Sequence, residues 1–227
     1  MSVLEKKTPI TVSPGDYVWI SPVGGGTWDI PKAVKVVSTS GKQLKVVDND
    51  NEESWIDPSS VLKALHPTSL ASAEDMITLG ELEEFTILHN LHIRYRKNVI
   101  YTYIGMMLVA INPYRDLPLY GPAEVKRYRG KRMGALPAHI YALGSQSYDN
   151  MRRQASSQCI VISGESGSGK TESTKLLMKF LAALSGQNSN IEQQLILANP
   201  ILEGFGQDQL LLYVRVLAAE CRKELHQ

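Results

Sequence analysis

The chain has 227 residues, a formal net charge of +1 and an apolar content of 43%. Such a length and composition suffice for more than one small folded unit, and the near-neutral charge argues against a polyanion as the principal partner, nucleic acid included. No transmembrane run occurs, residues 1–14 lack the apolar stretch of a signal peptide, and Cys159 and Cys221 are too few for a disulfide framework. A cytoplasmic protein is the expectation.

Residues 1–12 form an extension. Residues 13–65 then alternate short apolar runs (Tyr17-Val18-Trp19-Ile20, and those at 33–37, 44–47 and 54–56) with turn-rich stretches at 22–26 and 48–51. That spacing predicts short antiparallel strands in a small all-β barrel. Trp19, Trp28 and Trp55 either line a peptide groove or fill the core and rim, and so small a barrel needs its large side chains for packing. Asp48, at a strand end, reads as a turn residue.

Residues 66–73 read as a linker. Thr78 and Glu81 have the spacing of a capping box, opening a helix whose stripe Leu82, Phe85, Leu88, Leu91 and Tyr95 is predicted to be core. Neighbouring strands follow at 100–103 and 107–111, the second ended by Asn112-Pro113. Gly121-Pro122 starts a short helix that Gly130 ends. The basic run 126–132, with Tyr128 inside it, reads as a solvated helix end rather than a nucleic-acid surface. A further helix covers about 140–152, weakened at Gly144 by about 1 kcal/mol relative to alanine. The histidines His66, His89, His92, His139 and His226 show no metal-ligand spacing.

Gly164, Glu165, Ser166, Gly167, Ser168, Gly169, Lys170 and Thr171 complete the pattern G-x-x-x-x-G-K-[ST]. The glycines let backbone N–H groups turn around phosphate oxygens, Lys170 supplies a point charge, and the Thr171 hydroxyl is placed for Mg²⁺. The apolar run Cys159-Ile160-Val161-Ile162 before it predicts a buried parallel strand, with Cys159 a small core hydrophobe. After it, Leu176, Leu177, Phe180, Leu181 and Leu184 share one helix face, and Gly186 supplies a stop. Strands and helices mixed in this way predict an α/β sheet. Neither a lid arginine set nor an Asn-Lys-x-Asp motif appears, which argues against a small kinase or GTPase.

The longer string at 164–175, GESGSGKTESTK, resembles the phosphate loop of myosin motors. So, in the same order, do Glu74-Asp75-Met76 with the helix it opens through Leu91, Ile100-Tyr101-Thr102-Tyr103, Val109-Ala110-Ile111-Asn112-Pro113-Tyr114, Leu117-Pro118-Leu119-Tyr120, Ile191-Glu192-Gln193-Gln194 and the stretch 198–206. The resemblance covers roughly residues 14–206 and is closest to unconventional myosins of the class VII or XV type. It implies an α/β P-loop NTPase motor core, present in part over 66–206, preceded by an SH3-like barrel over 13–65. It also implies ATP and Mg²⁺ as ligands, with residues 164–171 on the phosphates, Thr171 on the metal, and Asn112, Pro113 and Tyr120 on the base side. A full-length member would couple Mg-ATP hydrolysis to actin-based movement, with actin and light chains as partners and a cytoskeletal location.

Departures qualify this. Where the family carries Asn-x-x-Ser-Ser-Arg, the chain reads Gln207-Asp208-Gln209-Leu210, and no Asp-x-x-Gly-Phe-Glu occurs. The expectation is therefore a motor fragment truncated before switch I, with no complete catalytic set, that binds nucleotide without effective motor activity. Asp116 stands where a basic residue is common, and the stretch 136–141 resembles Pro-Pro-His with one proline lost. Residues 207–227 form a divergent tail in which Leu210, Tyr213, Val214, Leu217 and Cys221 follow helical spacing. The alternative is a nonenzymatic interaction module or scaffold, with a peptide partner at the SH3-like barrel.

Overall fold

The computed structural model describes residues 11–21, 31–41, 43–48 and 51–185. Trp28, Gly186, the stretch 191–206 and the tail at 207–227 lie outside the described residues. The chain divides into two compact units between Lys97 and Asn98.

The first unit carries β1 (Tyr17–Ile20), β2 (Lys32–Ser40), β3 (Gln43–Val47), β4 (Glu53–Ile56) and β5 (Val61–Ala64). They form one antiparallel sheet in the order β4-β3-β2-β1-β5. Alternation along the strands sends Val18, Ile20, Val34, Val36, Leu44, Val46, Ile56 and Val61 into one core. Val37 continues the alternation on the outer face, and the pairing register with β3 shifts between Val36 and Ser38. The expected strands are present, and β5 is additional. Asp48 closes the β3–β4 connection, accepting the Glu52 N–H on its carboxylate at 3.0 Å. Trp19 is sealed, meeting Phe85 edge-on at 4.8 Å and His89 at 5.2 Å, while Trp55 on the edge strand is 52% exposed.

The segment after β5 is a folded strap. His66 Nδ1 and Thr68 Oγ1 are 2.8 Å apart, and Thr68 Oγ1 also accepts the Gly80 N–H at 2.8 Å. The helix expected from 74–78 onward starts only at Glu84: α1 spans Glu84–Arg96. Asp75 instead caps a 3₁₀ turn, Met76–Thr78. The capping box loses to an ion pair, since Lys63 of β5 draws Glu81 and Glu83 to 2.5 and 2.7 Å and holds them outside the helix. The buried stripe of α1 is polar, Thr86, Asn90 and Arg94 at i, i+4 and i+8, whereas Leu82 and Tyr95 are exposed. Asn90 explains this. Its carboxamide accepts the Ala73 N–H at 2.7 Å and donates to the Ala73 carbonyl at 3.0 Å, pairing like a strand neighbour. Burial lowers the pKa of Arg94, and the charge of Glu74 opposes that shift.

The second unit contains β6 (Tyr101–Ile104) paired antiparallel with β7 (Met107–Ala110), then α2 (Pro122–Tyr128), α3 (Ile140–Gln154) and α4 (Lys170–Ser185). Pro122 occupies the first turn of α2, and Gly130 past its end has φ +68°. Tyr128, inside the basic run, is buried and donates its hydroxyl proton to the Pro137 carbonyl at 2.9 Å. The expected parallel strand at 159–162 does not form a ladder. Ile160 is buried, but Val161 is 70% exposed and Cys159 is exposed, not a core residue. A buried parallel strand requires neighbours on both edges and cover on both faces, and among the described residues this segment has an apolar layer against one face only.

Helices α3 and α4 pack through a glycine. Tyr141 and Phe180 stack at 4.4 Å and 12°, and a Cβ on Gly144 would stand 2.9 Å from Phe180 Cδ1 and 3.2 Å from Leu177 Cδ2. Gly144 is thus where the helices approach, and its low helix propensity is offset by that contact. Gly144→Ala is expected to lower stability by about 1 kcal/mol net, overpacking outweighing the propensity gain. A melting temperature at or above wild type would contradict this.

Candidate nucleotide site

The loop at 164–170 runs without a break into α4, whose first bond joins the Ser173 N–H to the Gly169 carbonyl at 2.9 Å. Gly167 and Gly169 have φ of +78° and +94°, backbone that residues with side chains rarely adopt. Lys170 Nζ donates to the carbonyls of Gly164 at 2.6 Å and Glu165 at 2.9 Å. The Ser168 N–H closes a turn on the Glu165 carbonyl at 3.2 Å. Residues 164–168 are exposed, while Gly169, Lys170 and Thr171 are half-buried at the start of the helix.

An ammonium, a hydroxyl and the positive end of a 16-residue helix thus converge on one exposed loop. That donor set fits an anion such as a polyphosphate. Among the described residues no three His, Cys, Asp or Glu side chains cluster to hold a metal. A divalent cation here would rest on the Thr171 hydroxyl and on oxygens of the anion itself.

The segment 111–121 lies beside this loop. Asn112 Nδ2 donates to the Gly167 carbonyl at 2.9 Å, and its Oδ1 accepts the Tyr114 N–H at 2.9 Å. The expected base-side asparagine is therefore turned onto the phosphate loop. Pro113 is half-buried next to it, and Tyr114, at φ +50°, is 82% exposed. At the far end, the hydroxyls of Tyr120 and Tyr101 are 2.8 Å apart, and the Tyr120 carbonyl accepts the Tyr141 hydroxyl proton at 3.2 Å.

His139, read in the sequence as a non-ligand within the Pro-Pro-His-like stretch 136–141, organises this end. Its Nε2–H donates to the Leu119 carbonyl at 3.0 Å, while Nδ1 accepts the Tyr141 N–H at 3.0 Å and caps α3. The second bond requires a bare Nδ1, so the imidazole is neutral. Its ring stacks on Tyr128 at 4.7 Å and meets Tyr101, Tyr120 and Tyr141 at 5.2, 5.7 and 4.7 Å. Burial pushes its pKa down to about 4, against a raising effect of the Leu119 bond. Burial likewise raises the pKa values of Tyr101, Tyr120 and Tyr141. No spacing rule finds such a histidine, because its partners come from four separate stretches of chain.

A histidine whose folded pKa lies below its unfolded value takes up a proton more readily in the unfolded chain. Its stabilising contribution is complete above pH 6.5 and is lost as pH falls toward 4, by at most about 3 kcal/mol. Thermal melts across that window should show wild type losing stability faster than His139→Asn. Parallel pH profiles would refute the assignment.

Comparison with known proteins gives the family. The family model "Myosin head (motor domain)" matches residues 73–211, and "Myosin VII N-terminal beta barrel domain" matches residues 13–65. Myosin-VIIa of Drosophila melanogaster is 51% identical over 197 residues, which cover 87% of this chain and 9% of that protein. Unconventional myosin-VIIb of Mus musculus is 45% identical over 194 residues, 85% of this chain and 9% of the relative. Unconventional myosin-XV of Homo sapiens is 48% identical over 134 residues, 59% and 4% respectively. The chain thus spans under a tenth of the length of these relatives. It belongs to the myosin motor-domain family, with myosins of classes VII and XV among its relatives.

Proposed function

We propose that this chain is the nucleotide-holding front portion of an actin-based myosin motor, comprising an SH3-like barrel over 13–65, part of a P-loop motor core over 66–206 and a separate tail over 207–227. The observation that carries the reading is the loop at 164–171, with Lys170 and Thr171 at the head of α4 and the 111–121 segment bonded to it through Asn112. The return of β5 to pair with β1 supports the SH3-like reading of the first unit. With Trp19 sealed in that unit and Trp55 exposed on its edge strand, the described residues offer no aromatic groove that favours a peptide-binding module.

In this reading Gly164, Glu165, Ser166, Gly167, Ser168, Gly169, Lys170 and Thr171 hold the triphosphate of ATP. Lys170 neutralises the outer phosphates and Thr171 takes one position on Mg²⁺. The bound metal would spread the charge of the phosphate oxygens. Pro113 and Tyr120 stand on the base side, with Tyr120 fixed by Tyr101 and Tyr141. The described residues hold and orient a nucleotide, and the sequence offers no Ser-Ser-Arg to position water, so turnover by the 227 residues alone is slow. In the whole protein, hydrolysis would drive movement on actin and the location would be cytoskeletal. Among the described residues no helix is long and apolar enough to cross a membrane.

Equilibrium titration of the monomeric chain with a fluorescent ATP analogue and Mg²⁺ tests this. Saturable binding is expected, weakened at least about tenfold by Lys170→Ala through loss of a charge-assisted contact. A soluble monomer that binds no nucleotide would sink the proposal. Tyr101→Phe should weaken Mg-ATP by about three- to tenfold, one hydrogen bond's worth, and leave Mg-tripolyphosphate affinity as in wild type. Equal loss for both ligands would show that Tyr120 does not serve the base side.

A further inference from the structure

We infer that Asn112 is a positioning residue of the phosphate loop, a strut that fixes the peptide between Gly167 and Ser168 whether or not a base is present. This rests on the nucleotide reading above and sharpens it, because a base-side role alone would aim the carboxamide away from the loop. The side chain makes two bonds within the protein, donating to the Gly167 carbonyl at 2.9 Å and accepting the Tyr114 N–H at 2.9 Å.

The need for a strut follows from the loop. Gly167 is exposed, carries no side chain to pack and sits at φ +78°. Glycine has the broadest choice of backbone conformations, so such a peptide drifts unless something outside the loop holds it. The Gly167–Ser168 peptide is held at both ends, its carbonyl by Asn112 and its N–H by the Glu165 carbonyl at 3.2 Å. A Cβ on Gly169 would also lie 4.0 Å from Asn112 Nδ2, so the carboxamide bonded to Gly167 also faces the side of Gly169 on which a side chain would stand.

The strut has a firm base. One residue, Ile111, separates Asn112 from β7, and its N–H is bonded to the Ile100 carbonyl at 3.0 Å. Pro113 restricts the backbone of Asn112 as well as its own, and the Tyr114 N–H locks the side-chain torsion. The β6–β7 ribbon therefore sets the placement of the carboxamide, and the carboxamide sets the loop. A nucleotide's base and phosphate subsites are coupled through this one side chain, 55 residues from its partner in sequence.

The test uses the full chain and two independent readouts. In the first, without nucleotide, NMR measures amide solvent exchange at Ser168. Asn112→Asp keeps the oxygen that accepts from Tyr114, replaces the donor to Gly167 with a carboxylate oxygen and adds a negative charge, whereas Asn112→Ala removes both bonds without adding charge. Exchange about five- to tenfold faster in both Asn112→Asp and Asn112→Ala is expected for one lost hydrogen bond, and unchanged exchange overturns the strut. In the second, Asn112→Ala should weaken Mg-ATP and Mg-tripolyphosphate by the same factor, about five- to tenfold. If only Mg-ATP weakens, Asn112 is a base contact and the inference fails. Faster Ser168 exchange in a chain whose wild type binds neither ligand would uphold the strut and sink the nucleotide reading instead.

Discussion

The second unit depends on keeping one imidazole neutral and dry. His139 donates to the Leu119 carbonyl, caps α3 through the Tyr141 N–H, and fills the space between four tyrosine rings. A loop that packs against a core must satisfy its own carbonyls, and here His139 and Tyr141 take those of Leu119 and Tyr120 in succession. Placement of the segment at 119–120 is therefore a property of the start of α3. The middle of the same helix receives Phe180 at Gly144, which places α4. One 15-residue helix thereby carries both halves of the candidate site, the base side at its first turn and the phosphate side through its packing partner.

What the sequence discloses depends on how local the cause is. Alternation made most strands of the first unit legible, because period two needs only neighbours in sequence. β5 was missed since it is four residues long and directly follows a proline-led turn. The turn at 164–170 was legible for a similar reason: its positive φ angles are written into its glycines. Asn112 was found as a residue of interest, but its bond to Gly167 was not legible, since nothing near position 112 shows that Gly167 will lie beside it. The start of α1 was misplaced because the spacing of Thr78 and Glu81 matches a capping box, while the competing cation, Lys63, belongs to another element. The polar stripe of α1 escaped a hydrophobic reading because Asn90 is buried to bond Ala73, not to avoid water.

Sequence relationship and packing draw the internal boundary at different places. The motor-domain model begins at residue 73 and the barrel model ends at 65, whereas the packing units part after Lys97. Helix α1 lies between the two limits. Its Phe85 and His89 close over Trp19, so a buried tryptophan of the sheet is covered by a helix that the family model assigns to the motor portion. The first unit therefore completes its packing with residues from beyond its own sequence family.

The strap between β5 and α1 has a mechanical meaning. Eighteen slack residues, 66–83, would extend to roughly 60 Å under load. Here the segment is stitched at Thr68 to Gly80, at Ala73 to Asn90, and at Glu81 and Glu83 to Lys63. Each stitch must break before the strap lengthens, so small displacements meet stiffness rather than compliance. Under load, a tether of this kind passes tension from the sheet to α1 without first taking up slack.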